Sequence, residues 1–213
     1  MILRRLCNIL SYICDIFMTL KNTKATTSYI EWDDFKSLVS KLERDGEYKF
    51  CLLITIGVFT ALRISDLLKL RYIDILNKDV LIVVEQKTKK TRSIKINPDM
   101  HAIVSRVVKK TNIHDLNELI FLNRFGTKAI DKSYVNVKLK VLFKTYNIRV
   151  NGNVSSHTFR KSFGRKLLQA NNFSNQYLIL LSELFGHSSP SITRTYLGIR
   201  EKEIHDLYTS ISL

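Results

Sequence analysis

Six residues of this sequence have side chains of the types that could break a phosphodiester bond without a metal ion. In chain order they are Arg63, Lys87, His157, Arg160, His187 and Tyr196. Such a reaction needs a nucleophile, positive charge for the non-bridging phosphate oxygens, and a proton for the departing oxygen. A tyrosine could attack the phosphorus, guanidinium forks could bind the phosphate oxygens, and a lysine could protonate the leaving oxygen.

Each of these residues taken alone also has an ordinary structural interpretation. An arginine after a buried helix is usually a surface or salt-bridged residue, and a lysine in a turn is usually solvated. Tyr196 is one of nine tyrosines, so composition alone does not select it over Tyr177 or Tyr208. His157 and Arg160 are one helical turn apart, which places them on one face of a helix. The joint arrangement, rather than any single residue, favours chemistry.

The charge balance of the chain predicts a polyanionic partner. The 213 residues include 34 Lys and Arg against 19 Asp and Glu, a formal net charge of +15. No acidic residue lies between Asp131 and Glu183, a stretch rich in lysine and arginine. Such a block attracts nucleic acid by neutralising phosphates and releasing counterions. On charge alone, DNA, RNA and an acidic lipid surface all remain open.

Cysteine and histidine usage predicts neither a metal site nor a disulfide framework. Cys7, Cys14 and Cys51 lack zinc-ligand spacing, and the five histidines form no zinc signature. The expected location is therefore the reducing cytoplasm.

Residues 1–29 predict an amphipathic helical segment. Arg4 and Arg5 precede a mostly apolar run to Leu20, but Asp15 interrupts that run and no small-residue cleavage site follows it. We therefore favour an amphipathic helix over a membrane-spanning or exported segment, and expect no membrane partner.

Residues 30–213 predict one mainly helical domain with a small antiparallel sheet, an α+β fold. Two strands are expected over 80–84 and 92–96 around a polar turn at 87–90, with 72–75 as a candidate third strand. In the first half of the chain, helices are expected from a cap at Asp33 or Asp34 to about Glu43, over 47–60, over 66–70 with Ser65 as the N-cap, and over 98–110. In the second half, helices are expected over 131–146, from Ser155 or Ser156 onward, over 176–185, and over 191–197. Gly186 would end the helix over 176–185, and Ser189 and Pro190 would begin the last one.

Five features in order resemble the tyrosine recombinase family, the phage integrases and their site-specific relatives. The segment TALRISDLLKL (60–70) resembles the family's first arginine box, and VVEQKT (83–88) together with RSIKI (92–96) resembles its lysine-bearing hairpin. The segment SHTFRKSF (156–163) resembles its HxxR box. The segment LFGHSSPSITRTY (184–196) resembles its LGH box followed by the tyrosine nine residues beyond the histidine. Each string alone is weak, but the ordered set is specific. Phe185 stands where that family has leucine. The fold implied is that family's catalytic domain.

The resemblance implies a role for each residue. Arg63, His157 and Arg160 would grip the scissile phosphate. His187 would support the transition state or deprotonation of the tyrosine, and Tyr196 would become joined to the 3′-phosphate.

The resemblance places the general acid, which would protonate the 5′-hydroxyl, at Lys87. Lys89 and Lys90 lie in the same turn, which leaves a choice among the hairpin lysines. Asp66 would orient neighbouring groups rather than transfer protons. No metal and no cofactor is implied, because two arginines supply the positive charge and the phosphotyrosine conserves the bond energy.

The function implied is a site-specific DNA recombinase or integrase, the enzyme of a mobile element, acting in integration, excision or inversion. Its expected partners are double-stranded DNA, further copies of the chain in a dimer or tetramer, and an accessory DNA-bending protein. A type IB topoisomerase-like enzyme and a non-catalytic DNA-binding regulator are the alternatives.

Family members usually carry a separate core-binding domain ahead of the catalytic one. With about 29 residues before the expected catalytic domain, we expect a catalytic-domain-only form, residues 30–213, whose last part is a tail over 201–213. The tail has apolar residues at helical spacing, Ile204, Leu207, Tyr208 and Ile211. It would pack either on a neighbouring protomer or back on its own domain.

Overall fold

The computed structural model describes residues 27–111, 113–199 and 208–210, and these form a mainly helical domain with one hairpin. In chain order the elements are α1 (Trp32–Arg44), α2 (Tyr48–Thr60), α3 (Ile64–Leu67), a 3₁₀ helix (Tyr72–Asp74), β1 (Val80–Val84), β2 (Thr91–Lys95), α4 (Pro98–Val108), α5 (Lys132–Thr145), α6 (His157–Ala170), α7 (Asn175–Phe185) and α8 (Pro190–Leu197). The predicted α+β class is confirmed. The predicted helical segment over 1–29 and the tail over 201–213 lie outside the described residues, apart from 27–29 and 208–210.

Helix α2 is the centre of the main core. Its sequence is apolar on nearly every side, and α1, α4 and α6 all pack against it. A helix that is hydrophobic all round must be buried all round. Helices α1, α4 and α6 therefore enclose α2, and the chain leaves this core at Ala61, the residue after α2.

Helix α6 crosses α2 at a glycine. A Cβ atom added at Gly57 would lie 2.6 Å from Cδ2 of the buried Phe159 ring, so only glycine permits this approach. Gly164, five residues after Phe159 on α6, allows a similar approach by Leu197 of α8, since an added Cβ would lie 2.9 Å from Leu197 Cδ2. These two contacts place α6 between α2 and α8. The second core cluster includes Leu197, Phe185 of α7 and Ala61 after α2.

The predicted hairpin is present, with Val80 paired to Lys95 and Val84 paired to Thr91. Leu81 and Val83 face the core, while Val80, Ile82 and Val84 face outwards. Since side chains alternate along a strand, Glu85 continues the inward face immediately after β1.

Three details of the predicted secondary structure were wrong. The candidate third strand at 72–75 contains a 3₁₀ helix instead, closed by the Asp74 carboxylate accepting the Arg71 backbone N–H at 2.8 Å. The helix that was expected behind Ser65 begins at Ile64, with Arg63 at its N-cap. Helix α1 begins two or three residues earlier than expected, because Glu31 rather than Asp33 or Asp34 occupies its N-cap.

The predicted C-terminus of α7 and the predicted N-terminus of α8 are confirmed. Gly186 ends α7 in the left-handed conformation with φ 64°, and Ser189 Oγ accepts the backbone N–H of Ile192 at the start of α8 with Pro190 in its first turn. In the part of the chain that the structure describes, no helix is long and apolar enough to cross a membrane.

Candidate active site

Two helix C-termini and two arginines meet at the candidate site. The carbonyl oxygen of Phe185, the last residue of α7, accepts hydrogen bonds from Arg63 Nη2 and from Arg160 Nη2, each at 3.2 Å. The carbonyl oxygen of Ala61, just after α2, accepts a third from Arg160 Nη1 at 2.6 Å. Helix C-terminal carbonyls carry partial negative charge and lack partners within their own helix. They therefore hold the two guanidinium groups side by side.

Arg160 is the buried member of this pair, with only 5% of its surface exposed. The pKa of Arg160 is lowered to about 10, chiefly because the side chain is buried; the charge of Arg63 also lowers the pKa, whereas the Tyr196 side chain acts in the opposite direction. Arg160 is still positively charged at neutral pH. Its guanidinium carbon also lies 4.7 Å from the centre of the Phe185 ring, a cation–π contact.

Arg63 is held from the opposite side by an acid. Its Nη1 donates to Glu85 Oε2 at 2.7 Å, and its side chain is 19% exposed. Ala61 turns the chain between α2 and Arg63 in the left-handed conformation, φ 50°, which is uncommon for a residue other than glycine. The turn directs the α2 carbonyls towards the site and brings Arg63 over the end of α7.

The Tyr196 side chain lies beside that of Arg160. Its hydroxyl is 3.5 Å from the His157 carbonyl oxygen, and its ring centre is 5.7 Å from that of Phe185. Burial raises the pKa of Tyr196, while the positive charge of Arg160 and a hydrogen bond with it lower the pKa. The phenol is therefore neutral at physiological pH and needs a proton acceptor to become a nucleophile.

His187 stands against the same tyrosine. Their ring centres are 5.1 Å apart, and His187 Nδ1 is 2.9 Å from Thr193 Oγ1. The threonine thus fixes the ring and leaves Nε2 for another partner. Desolvation lowers the pKa of His187, and the charges of Arg160 and Arg63 lower it further, so its imidazole is neutral at neutral pH.

His157 is the first residue of α6, and it is exposed to solvent. Partial desolvation of its ring, followed by the charges of Arg160 and Lys132, lowers its pKa. It lies on the cationic side of the site, one helical turn before Arg160.

Lys87 lies in the hairpin turn and is exposed. It forms no hydrogen bond or ion pair with any other residue that the structure describes, so its ammonium group is available to an external partner. The turn itself is held. Asp66 is 2% exposed, and its Oδ1 accepts the backbone N–H of Gln86 at 3.0 Å. Asp66 therefore holds the backbone of the hairpin turn, and its orienting role in catalysis stays a prediction.

The structure adds two charged residues that sequence reasoning missed, Glu85 and Arg92. Arg92 Nη2 donates to the Thr60 carbonyl oxygen at 2.8 Å, and its Nη1 lies 3.8 Å from Glu85 Oε1. One signal was available for Glu85. The inward alternation of β1 predicts that an acid at this position is buried, and buried acids need a charged partner.

Among the residues described here, no three histidine, cysteine or acidic side chains cluster in a way that could hold a metal ion. The charge at the site comes from arginines. The arrangement places two guanidinium groups beside a tyrosine side chain, with an imidazole against the tyrosine ring and an exposed lysine in the hairpin turn, and these groups together suit the binding of a phosphate diester.

The chain belongs to the phage integrase family, whose profile matches residues 28–203. A probable integrase/recombinase, YoeC of Bacillus subtilis strain 168, is 32% identical over 80% of this chain and 86% of its own length. A tyrosine recombinase of Thermosipho africanus is 28% identical over 84% of this chain but only 59% of its own length.

Solved structures of recombinases share the fold. The XerA recombinase superposes with a TM-score of 0.64 at 17% identity, covering 87% of this chain and 65% of that one. The XerH recombinase bound to its palindromic difH substrate, in a post-cleavage complex, gives 0.61 at 20% identity and covers 53% of that chain. The chain spans about half to two thirds of these longer proteins.

Proposed function

We propose that this chain is a site-specific DNA recombinase that cleaves and rejoins strands through a 3′-phosphotyrosine at Tyr196. The observation that carries the proposal is the shared contact of Arg63 and Arg160 with the Phe185 carbonyl, beside the Tyr196 hydroxyl. Two adjacent guanidinium groups can neutralise both non-bridging oxygens of one phosphate diester, and charge develops on those oxygens in the transition state.

In the proposed cleavage step, the Tyr196 oxygen attacks phosphorus and the bond from phosphorus to the 5′-oxygen breaks. His187 accepts the phenol proton, and Lys87 donates a proton to the departing 5′-oxygen. His157 donates a hydrogen bond to the same phosphate. Rejoining reverses these steps with the 5′-hydroxyl of another strand as nucleophile, so no external energy source enters.

The proposed partner is double-stranded DNA. Its support is the net charge of +15, the acid-free stretch between Asp131 and Glu183, and family membership. One structural relative is a lambda integrase dimer bound to a core site, and we propose that this chain likewise works as a dimer or tetramer on DNA. Residues 30–213 would form the catalytic domain. The DNA would be in the cytoplasm, and an accessory DNA-bending protein would assist the reaction.

Covalent trapping tests the proposal. Purified protein is incubated with duplexes that carry the sequences on either side of its own gene, each with a nick that lets the 5′-hydroxyl fragment diffuse away. A denaturation-resistant complex is expected, with the DNA attached through its 3′-phosphate to a peptide containing Tyr196. Tyr196→Phe should abolish it, and the matched change Tyr177→Phe should leave it intact.

The same duplexes separate the alternatives. Exchange of strands between two labelled duplexes is expected of a recombinase, whereas relaxation of supercoils with no exchange would indicate a topoisomerase-like enzyme. Binding with no covalent complex on any duplex would indicate a DNA-binding regulator and would contradict the proposal.

A further inference from the structure

One carboxylate oxygen connects the phosphate clamp with the turn that carries the proposed general acid. Glu85 Oε2 accepts hydrogen bonds from Arg63 Nη1 and from the Thr88 hydroxyl, both at 2.7 Å. Thr88 is the residue directly after Lys87. The oxygen atom that holds the clamp arginine thus also holds the neighbour of the lysine.

The residue on the other side of Lys87 is held as well. The backbone N–H of Gln86 donates to Asp66 Oδ1 at 3.0 Å. The backbone of Lys87 is therefore fixed between two carboxylates, while its own side chain stays exposed. Fixing the backbone on both sides narrows the volume that the ammonium group can reach without fixing the ammonium group itself.

Glu85 can do this because it is buried and charged. It is 7% exposed, and burial raises its pKa, but the hydrogen bonds from Thr88 and Arg63 and the charge of Arg92 lower the pKa by more. An ionised carboxylate between two guanidinium groups accepts strong, short hydrogen bonds. It also lets Arg63 and Arg92 lie close together without a large repulsion.

We infer that Glu85 is a positioning residue that sets the distance between the phosphate gripped by Arg63 and the Lys87 ammonium group. The inference rests on the proposed function, because it needs Lys87 to protonate a leaving oxygen. Glu85 itself does not touch the DNA. It acts through Thr88 on one side and through Arg63 on the other.

A change of leaving atom tests this inference. In a duplex whose bridging 5′-oxygen is replaced by sulfur, the leaving thiolate needs no proton, so cleavage no longer depends on a general acid. Single-turnover rates of covalent complex formation are measured on matched oxygen and sulfur duplexes. Thr88→Val removes the hydroxyl that binds Glu85 with little change in shape. Thr91→Val makes the same change in the same hairpin on its exposed face.

We expect Thr88→Val to cleave the oxygen duplex about tenfold to a hundredfold more slowly, as for a misplaced catalytic group, and the sulfur duplex at the wild-type rate. Thr88→Ser should recover most of the rate, and Thr91→Val should match the wild type on both duplexes. Glu85→Gln should also be slow on oxygen, and sulfur should rescue only the part of its loss that comes from Lys87.

Three outcomes would overturn the inference. Thr88→Val could be as fast as the wild type on oxygen, or it could be equally slow on both duplexes, or its loss could follow a loss of folding in a thermal melt. Failure of the proposed function has a different signature. If Lys87→Ala is not rescued by sulfur, or if the wild type forms no covalent complex with either duplex, the general acid assignment or the recombinase proposal itself is wrong.

Discussion

Arg165 Nη1 donates a hydrogen bond to the carbonyl oxygen of Leu197, at 3.3 Å. Leu197 directly follows Tyr196, and Arg165 lies on α6, the helix that also carries Arg160. The backbone at the end of α8 is thereby tied to the helix that holds the phosphate clamp. Arg165 is 6% exposed, and its guanidinium carbon stands 4.2 Å from the centre of the Tyr29 ring.

Replacing Arg165 with methionine should therefore affect both stability and cleavage. The apolar stem is kept, but the Leu197 carbonyl loses its buried donor, a loss that costs about 1–3 kcal/mol. We expect a fall of this size in the free energy of unfolding in urea, together with slower covalent complex formation under conditions where the protein stays folded. DNA affinity should change little.

The matched control is Lys166→Met, the next residue on α6. Its ammonium group lies over the Trp32 ring at 5.3 Å and has no link to α8. This variant should lose at most about 1 kcal/mol of stability, the size of an exposed cation–π contact, and should cleave at the wild-type rate. Equal cleavage rates for the Arg165 and Lys166 variants would show that the Leu197 contact does not position Tyr196.

Arg160→Lys should separate catalysis from DNA binding. Lysine keeps the charge but cannot reach the Ala61 and Phe185 carbonyls and a phosphate at once, because it lacks the planar fork. Removing one such preorganised donor typically costs about 10²–10³-fold in rate. The equilibrium dissociation constant for duplex DNA, measured at fixed salt, should rise only a few-fold, because Arg160 supplies one of the many positive charges of a chain with a formal net charge of +15 and the substitution keeps that charge. A parallel loss of affinity and rate would argue against a transition-state role.

The structure brings together Arg63, Arg160, His187 and Tyr196, which the sequence patterns selected, but those patterns did not identify the groups that hold them. Gly186, Ser189 and Pro190 are local signals. Gly186 correctly predicted where α7 ends, and Ser189 with Pro190 correctly predicted where α8 begins. The acceptors for Arg160 are backbone carbonyls of Ala61 and Phe185, and a carbonyl has no side-chain identity that a sequence pattern could single out. Long-range packing decides which carbonyls face the site.

Glu85 shows the same limit for a side-chain acceptor, because its burial could be predicted from the sequence but its partner could not. Its burial follows from strand alternation, but its partner Arg63 lies 22 residues earlier. That pairing depends on how the hairpin docks against the end of α2. The 3₁₀ helix at Tyr72–Asp74 differs from the expected strand for a comparable reason. Its β-branched and aromatic residues favour a strand, but the Asp74 carboxylate closes a turn on the Arg71 backbone.

Gly57→Ala should test how α6 is seated on α2. The added methyl would stand 2.6 Å from the Phe159 ring, and both residues are buried in the core. Overpacking of this kind costs about 1–3 kcal/mol, which should appear as a lower midpoint in urea. Adding Phe159→Leu should make the two changes non-additive and return part of the stability, because leucine vacates the contested space. Simple additivity in the double-mutant cycle would mean that the ring and the glycine do not limit each other.

The pH dependence of cleavage should report His187. Its pKa is lowered from the ordinary 6.5 by desolvation and by Arg160 and Arg63, so the folded protein binds fewer protons than the unfolded chain below that pH. Stability should therefore fall as the pH drops below about 6.5, the value for an unperturbed histidine. The cleavage rate should fall at a lower pH, where His187 itself becomes protonated and can no longer accept the Tyr196 proton.

Single-turnover pH–rate profiles of covalent complex formation would check this prediction. The wild type should show an acid limb below pH 6.5, set by the lowered pKa of His187. His187→Gln should be slower at neutral pH and should lack that limb, because no group titrates at its position. His157→Gln is the control, since His157 also has a lowered pKa but is assigned to hydrogen bonding rather than proton acceptance. It should be slower yet keep the limb. An acid limb that persists in His187→Gln and disappears in His157→Gln would reverse the two assignments.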